Sequence, residues 1–264
     1  MHTVMIEPAS YSNCREAVEK AFALFPLDIK DKNVLIKPNV LRASFPEQHI
    51  CTNPAVLAAV VEKVESLQPN SITVGDNPGM FAYGANEKAF KQTGLMDAAG
   101  GYYRNIGEEA REIDFVPGFV EKLAVSRAVM DADIVISLPK FKTHGLTVIS
   151  GAIKNSYGII PGSRKADIHA KSGEAIRFSE IMVEVFKVKI PDLFILDAVV
   201  GMEGNGPGST ELRHVGQIMA ADNAVALDAT IARTMDVNPD TLPFLDYAKK
   251  QGLGEFARDQ IKIE

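Results

Sequence analysis

The segment from Lys140 to Lys171 concentrates the side chains that could do chemistry. The segment contains six basic residues and one acidic residue, Asp167, so its local charge is +5 in a chain of net charge −6. The basic residues are Lys140, Lys142, Lys154, Arg164, Lys165 and Lys171. Because ordinary loops mix their charges, an island of one sign favours a bound anion such as a carboxylate or a phosphate. The alternative is a solvated basic loop.

Three residues of this segment are candidates for catalysis. The small residues at 149–153 predict a helix start, whose free N–H groups would favour an anion, with Lys154 one turn further in. A desolvated lysine there could bind a charge, act as a base or carry a cofactor covalently. His144 could serve as an acid/base group or a metal ligand. We therefore predict His144, Lys154 and His169 as catalytic, with a purely structural role as the alternative for each histidine.

The elements that must position these residues follow from the apolar pattern. Short Val/Ile-rich runs predict strands at 33–37, 71–75, 132–137 and 193–197, and longer periodic stretches predict helices at 54–66, 174–189 and 224–235. This alternation indicates an α/β fold with a largely parallel sheet and helices on both faces. We expect a single domain over 1–264, with two closely packed α/β lobes as the alternative. Ligands of such sheets bind beyond the carboxyl ends of the strands, which places the cleft there.

The residues after each predicted strand supply the binding candidates. The predicted cofactor-binding set is Lys37, Asn39, Asp76, Lys142, Asn155, Glu203, Gly204 and Asn205. The last three lie in a glycine-rich loop at 201–208, whose alternative interpretation is a tight structural turn. We favour a helix-capping role for Asp197 and leave Asp76 open between capping and catalysis.

The number of cysteines limits which iron–sulfur clusters the protein could hold. Cys14 and Cys51 are too few for a four-cysteine iron–sulfur cluster within one chain, but two chains of a dimer would supply four thiolates for a [4Fe–4S] cluster. The alternative is two unrelated thiols that act as small buried hydrophobes. So few cysteines also favour a reducing cytoplasm.

Composition excludes several classes of protein. The 264 residues, 46% hydrophobic and 23% charged, are ordinary for a folded domain, and the mild acidity argues against a nucleic-acid binder. The apolar runs are too short to cross a bilayer, and residues 1–7 lack the features of a signal peptide. We therefore expect a cytoplasmic protein that binds neither nucleic acid nor a membrane. The basic segment predicts a small organic anion as its ligand, we expect a homodimer, and a redox protein stays open as a further partner.

An ordered set of motifs resembles the family called domain of unknown function 362. The motifs lie at 34–39, 52–54, 74–76, 140–144, 151–155, 201–207 and in the helix at 224–235 with Asp228. The resemblance covers nearly the whole chain. It implies an association with iron–sulfur centres, since many relatives carry a ferredoxin-like segment with four cysteines. This sequence contains no such segment.

A second, weaker resemblance is to nickel-pincer lactate racemases. In that family a catalytic histidine precedes a cofactor-linked lysine, and a metal-binding histidine follows. Here His144, Lys154 and His169 are similarly spaced, 10 and then 15 residues apart. The run before Lys154 lacks the double glycine of those enzymes, so the resemblance implies a shared site geometry and implies neither nickel nor lactate.

Together these observations favour an enzyme with a basic cleft that binds a small organic anion or a phosphate-bearing cofactor. Proton abstraction, as in a racemase or isomerase, and a redox step, as in an oxidoreductase, both stay open. One alternative is an iron–sulfur protein with a cluster shared through Cys14 and Cys51, and another is a non-catalytic partner of a redox protein. The candidate cofactors are that inter-subunit cluster, a divalent metal and a phosphate-bearing organic molecule.

Overall fold

The Val/Ile-rich runs form the centre of one large sheet. The computed structural model describes residues 1–79 and 82–264. Within these residues, nine strands share a sheet whose main path has the order β11-β1-β10-β9-β6-β2-β3, and β7 and β8 extend it beside β9. The strands are β1 (His2–Pro8), β2 (Asn33–Pro38), β3 (Ser71–Val74), β4 (Ala110–Val116), β5 (Val120–Ser126), β6 (Ile134–Leu138), β7 (Lys140–His144), β8 (Val148–Ser150), β9 (Leu193–Met202), β10 (Leu212–Ala221) and β11 (Ile261–Ile263).

The pairing of the strands confirms a mostly parallel sheet. β3, β2, β6 and β9 are mutually parallel, as are β1 and β11. β10 runs antiparallel to both of its neighbours, β1 and β9. β4 and β5 form a separate antiparallel ribbon.

Helices cover both faces of the large sheet. They are α1 (Cys14–Leu24), α2 (Pro54–Ser66), α3 (Asn86–Gln92), α4 (Leu95–Ala98), α5 (Arg127–Asp131), α6 (Ala152–Asn155), α7 (Arg164–Ser172), α8 (Ala175–Val188), α9 (Ala224–Thr234) and α10 (Pro243–Lys250). Short 3₁₀ turns lie at Pro46–Gln48, Ser156–Ile159, Pro239–Thr241 and Arg258–Gln260.

The alternation of side chains along the strands divides the interior into two cores. In β2, Leu35 belongs to the core that includes residues of α6, α8, α9 and α10, whereas Val34 and Ile36 belong to the core that includes residues of α1, α2 and α4. Because successive residues of a strand point to opposite faces, a strand buried on both sides needs a continuous apolar run. This explains why the central strands lack an alternating polar pattern.

Local capping sets the helix boundaries close to the predicted ones. Asn53 accepts a hydrogen bond from the Ala55 N–H at 2.9 Å, and Pro54 occupies the first turn of α2. Asn223 caps α9 in the same way, through the Ala226 N–H at 3.0 Å. A side-chain acceptor at this position satisfies a backbone donor that the helix leaves unpaired. Asn53 and Asn223 therefore mark the residues at which these two helices begin.

Two features of the fold depart from the sequence pattern. β9 continues to Met202, because β10 pairs with it along the length of a hairpin. The stretch after β6, which the sequence suggests is a loop, forms β7 and β8, with Lys142 opposite Ser150 and Lys140 opposite Asp197. Among the described residues, no helix is both long and apolar enough to cross a membrane.

Candidate functional site

A cavity of about 310 Å³ lies beyond the carboxyl ends of the parallel strands, between the loop after β2, β7, α6 and α7. We call it the basic cavity. Its lining residues are Leu41, Gly79, Tyr83, His144, Lys154, Tyr157, Lys165, His169 and Pro207. The three predicted catalytic residues therefore lie in one wall, although 25 residues separate the first from the last. None of the lining residues that the structure describes is an aspartate or a glutamate.

His144 ends β7 and presents one ring nitrogen to the backbone. The N–H groups of Leu146 and Thr147 donate to its Nδ1 at 3.1 and 3.3 Å. Because Nδ1 is an acceptor, the neutral ring carries its proton on Nε2. Burial, and then the nearby Lys154 and Lys142, lower the pKa of His144 to about 2. His144 is therefore a neutral hydrogen-bond donor at physiological pH.

Lys154 lies in α6 over two aromatic rings. Its Nζ is 4.9 Å from the centroid of the Tyr157 ring and 5.6 Å from that of the Phe178 ring. Aromatic faces attract a cation, and more strongly where water is excluded. Burial, reinforced by Lys142 and Lys37, lowers the pKa of Lys154 to about 8. The side chain is thus mostly charged at neutral pH and can bind an anion.

His169 projects from α7 into the same aromatic group. Its ring stacks on Phe178 with the centroids 4.0 Å apart and meets the edge of Tyr157 at 5.5 Å. Burial, followed by the charge of Lys154, lowers the pKa of His169 to about 4. The ring is therefore neutral near pH 7, and the aromatic contacts fix its orientation.

Lys165 is a lining residue that the candidate set does not contain. It is 4% exposed and donates hydrogen bonds to the backbone oxygens of Asn77 and Pro78, the latter at 3.2 Å. Burial lowers its pKa to about 7, against an opposing effect of Asp76. The spacing of residues in the sequence could have indicated that Lys165 is buried. The buried face of α7 consists of residues three and four positions apart, namely Lys165, Ile168 and Ser172.

A buried polar network supports the cavity at the ends of β2 and β6. Lys142 Nζ donates to Asn39 Oδ1 at 2.8 Å, and Asn39 in turn donates to Asn155 Oδ1 at 3.1 Å. Asn155 donates to Ser137 Oγ at 2.9 Å. Burial lowers the pKa of Lys142 to about 8. The structure therefore brings Asn39, Lys142 and Asn155 together, but behind the cavity wall.

Lys37 and Asp76 form an ion pair in this same region. Their charged atoms are 2.7 Å apart, with exposures of 1% and 3%. Lys37 also donates to the Asn155 carbonyl at 2.6 Å, and the Val40 N–H donates to Asp76 at 2.8 Å. A Cβ at Gly158 would lie 2.0 Å from Asp76 Oδ1, so only glycine fits beside the pair. These contacts give Asp76 a charge-pairing role, and no helix begins directly after it.

The predicted anion site at the start of α6 is wrong, because the protein supplies its own carboxylate there. Asp228 of α9 accepts hydrogen bonds from the N–H groups of Ala152 and Ile153 at 2.6 and 3.1 Å. A Cβ at Gly151 would lie 2.0 Å from Asp228 Oδ1. Burial raises the pKa of Asp228 to about 7. The free N–H groups that the sequence suggests are thus already bonded.

The helix-capping role favoured for Asp197 also needs correction. Asp197 lies inside β9, and the next element after β9 is the strand β10 instead of a helix. Its carboxylate pairs with Lys140 at 2.7 Å in full burial and accepts the Asn53 N–H at 2.9 Å. Tyr11 donates a further hydrogen bond at 3.2 Å. Asp197 therefore joins β7, β9 and the start of α2 to one another.

The glycine-rich loop is the turn between β9 and β10. The Thr143 hydroxyl donates to the Gly204 carbonyl at 2.9 Å, and the Gly145 N–H donates to the Gly206 carbonyl at 3.1 Å. The side chains of Glu203 and Asn205 are exposed and do not line the basic cavity. Pro207 is the residue of this loop that reaches the wall.

The two cysteines lie within the core on the α1 and α2 side of the sheet. Cys14 is 3% exposed and Cys51 is 5% exposed. Cys51 Sγ accepts the Leu41 N–H at 3.3 Å and contacts Ser44 Oγ at 3.7 Å. A cluster shared between two chains needs its sulfurs at the surface where the chains meet. These buried thiols do not fit one.

The part of the chain that the structure describes contains no set of side chains that could coordinate a divalent metal ion. Among residues 1–79 and 82–264, no group of three or more His, Cys, Asp or Glu side chains could bind a metal ion together. His144 and His169 face two lysines instead of carboxylates.

One solved structure supports the α/β fold. A protein from Thermotoga maritima matches with a TM-score of 0.53 and 11% identity over 88% of this chain and 60% of that one. The lactate racemase apoprotein from Thermoanaerobacterium thermosaccharolyticum is more weakly similar, with a TM-score of 0.40 and 14% identity over 84% of this chain and 54% of that one. The chain thus spans less than two thirds of either protein.

Comparison of sequences gives the family. A thylakoid-associated protein from Synechocystis sp. is 32% identical over 238 residues, which are 86% of this chain and 70% of the relative. The model of the family called domain of unknown function (DUF362) matches residues 34–233, which include Lys37, the basic cavity and Asp228. The chain therefore belongs to the DUF362 family.

Proposed function

We propose that the protein is an enzyme that binds a small organic anion in the basic cavity and transfers a proton on it. The observation that carries the proposal is the combination of two lysines and two histidines in a wall without a carboxylate among its described residues. Buried charges normally have partners, because desolvation without compensation is costly. A bound carboxylate or phosphate would supply the missing negative charge.

The side chains divide into an anchor, a donor and proton acceptors. Lys154 remains mostly charged near pH 7 and anchors the anionic group. His144 offers its Nε2–H as a hydrogen-bond donor to an oxygen that gains charge during the reaction. The neutral ring of His169 and the uncharged fraction of Lys165 are available to accept the proton. A base works best with a pKa near the working pH, which favours Lys165.

Hydrogen exchange tests this function directly. Lactate, malate, pyruvate and 2-oxoglutarate would be incubated with the protein in D₂O, and loss of the C–H signal next to the carboxylate or carbonyl would be followed by proton NMR. We expect catalysed exchange for at least one anion. The Lys165→Gln variant should lose it, while Lys171→Gln, an exposed lysine on the same helix, should not.

The same experiment separates the competing functions. Binding of an anion without exchange would support a non-catalytic binding protein. Absence of both binding and exchange would contradict the proposal. Iron and sulfide analysis after anaerobic reconstitution serves as the control for the iron–sulfur alternative, and we expect neither element at stoichiometric levels.

We also propose that the protein works in a reducing, cytoplasmic compartment. Its free cysteine thiols, Cys14 and Cys51, are consistent with such a compartment. The thylakoid association of the relative offers a membrane-attached alternative. Fractionation of lysed cells distinguishes the two: we expect the protein in the supernatant, and recovery with the membranes would contradict this location.

A further inference from the structure

The amine of Lys165 has a geometry that differs from that of the other lysine in the cavity. Its Nζ donates to two backbone carbonyls, those of Asn77 and Pro78. A neutral primary amine has two N–H bonds and one lone pair, and these two acceptors take up both N–H bonds. The remaining tetrahedral direction, which carries the lone pair, is then set by the protein. Lys165 also lines the basic cavity, so a ligand bound there lies beside this residue.

The surroundings of Lys165 favour the neutral amine, whereas those of Lys154 favour the cation. Lys154 lies over the faces of Tyr157 and Phe178, and such contacts stabilise an ammonium group. Lys165 is buried and has no carboxylate within ion-pair distance among the described residues. Burial is the largest effect on its amine and disfavours the cation, the charges of Lys37 and Lys154 act in the same direction, and the more distant charge of Asp76 opposes them. Desolvation beside a second cation is a known way to activate a lysine nucleophile.

We propose that Lys165 is a nucleophile that forms an imine with the carbonyl carbon of a small 2-oxo acid. This inference rests on the proposed function, because it takes the anion of the basic cavity to be a 2-oxo acid. Lys154 binds the carboxylate of this substrate, and Lys165 attacks the neighbouring carbonyl. The two lysines thereby select a molecule that carries both groups, and they discriminate against anions without a carbonyl.

The step balances without an added reactant. The Lys165 nitrogen forms a bond to the carbonyl carbon, and the carbonyl oxygen takes a proton to give a carbinolamine. That proton comes from the Lys165 nitrogen, which keeps its second proton. Solvent supplies one further proton to the hydroxyl, which leaves as water, and a protonated C=N bond remains, while the Nε2–H of His144 donates a hydrogen bond to the departing oxygen. The protonated imine then withdraws electrons from the adjacent C–H bond, which makes proton removal easier.

Borohydride trapping tests the imine. The wild-type protein would be incubated with glyoxylate, pyruvate, 2-oxobutyrate or 2-oxoglutarate, reduced with sodium borohydride, and digested for tandem mass spectrometry. Reduction fixes the imine as a secondary amine, so the adduct adds the mass of the oxo acid less one oxygen atom. We expect at least one of these acids to label Lys165 at near-stoichiometric yield. Lys171 on the same helix should be labelled at least tenfold less, since it is exposed and does not line the basic cavity.

Variants and a competitor sharpen the result. Lys165→Arg keeps donors for the two carbonyls but cannot form the imine, so we expect its adduct to disappear. An adduct that maps to Lys154 or to surface lysines, or no adduct with any of the four acids, would overturn the inference. If lactate or malate still binds and exchanges its C–H proton in that case, the proposed function survives without the covalent step. If they neither bind nor exchange, both fail.

Discussion

Replacing Asp76 by asparagine should remove the charge that compensates a deeply buried lysine. Lys37 Nζ is 2.7 Å from the Asp76 carboxylate, and the two side chains are 1% and 3% exposed. In Asp76→Asn, Lys37 keeps the Asn155 carbonyl at 2.6 Å but loses its negative partner. Breaking a buried pair by removing one partner costs about 3–5 kcal/mol. We expect a decrease of that size in the free energy of unfolding.

Urea unfolding followed by circular dichroism measures this decrease. The matched control is Asp246→Asn, which removes a carboxylate 2.6 Å from Lys250 in an exposed pair of α10. Exposed pairs within a helix contribute only about 0.3–0.5 kcal/mol. If both variants lose the same small amount, the charge of Asp76 is not needed to compensate Lys37, and the description of the buried network is wrong.

Three further predictions follow from the cavity and its support. Gly158→Ala would place a Cβ 2.0 Å from a carboxylate oxygen and 2.5 Å from a lysine nitrogen, so we expect urea unfolding to show a loss of about 3 kcal/mol or more, against less than about 1 kcal/mol for Gly145→Ala, where the nearest atom is 3.6 Å away. Equal losses would contradict the close approach. Anion affinity, measured by calorimetry, should fall as pH rises through the pKa of about 8 of Lys154, because the anchoring charge is then lost; a flat profile up to pH 9 would contradict that role. Stability should fall as pH drops from the ordinary histidine value of 6.5 toward 4, because unfolding lets His144 and His169 take up protons that their lowered native pKa values exclude. Urea midpoints of His144→Gln and His169→Gln should decline less over this range, and an unchanged decline would refute the assignment.

The sequence predicts the fold well because its signals are local. Val/Ile-rich runs indicate strands whose two faces are both covered, and Asn53 and Asn223 mark helix starts by a contact two or three residues away. β9 is longer than its apolar run suggests. The added length depends on pairing with β10, which the pattern within β9 alone does not reveal.

The candidate site is only partly predictable, because its decisive contacts are distant in the chain. The charge island draws attention to the segment that contributes His144, Lys154 and His169 to one wall of the basic cavity. It does not tell which basic residues face inward, and Lys165 becomes apparent only once the buried face of α7 is known. Asp228 lies 76 residues from the N–H group that it accepts, so the start of α6 looks free in the sequence.

A different limit applies to Asp197 and the cysteines. A carboxylate after an apolar run resembles a helix cap, yet Asp197 pairs with Lys140 because β7 aligns the two across the sheet. The number of cysteines alone is compatible with an iron–sulfur cluster that two chains share through Cys14 and Cys51. Cys14 is 97% buried and Cys51 is 95% buried, because α1 and the loop before α2 pack into the core. The number of cysteines in the sequence cannot reveal this burial.

The most direct test of the central claim is whether the basic cavity binds an organic anion through its unpaired lysines. Isothermal titration calorimetry at pH 7 would compare lactate, malate and phosphate on the wild-type protein, on Lys154→Gln and on Lys171→Gln. Loss of a charge-assisted hydrogen bond of about 1.5–3 kcal/mol corresponds to a roughly 10- to 150-fold weaker affinity. We expect that loss in Lys154→Gln for the best-bound anion and no change in Lys171→Gln. Equal affinity in all three proteins, or binding by none, would contradict the claim.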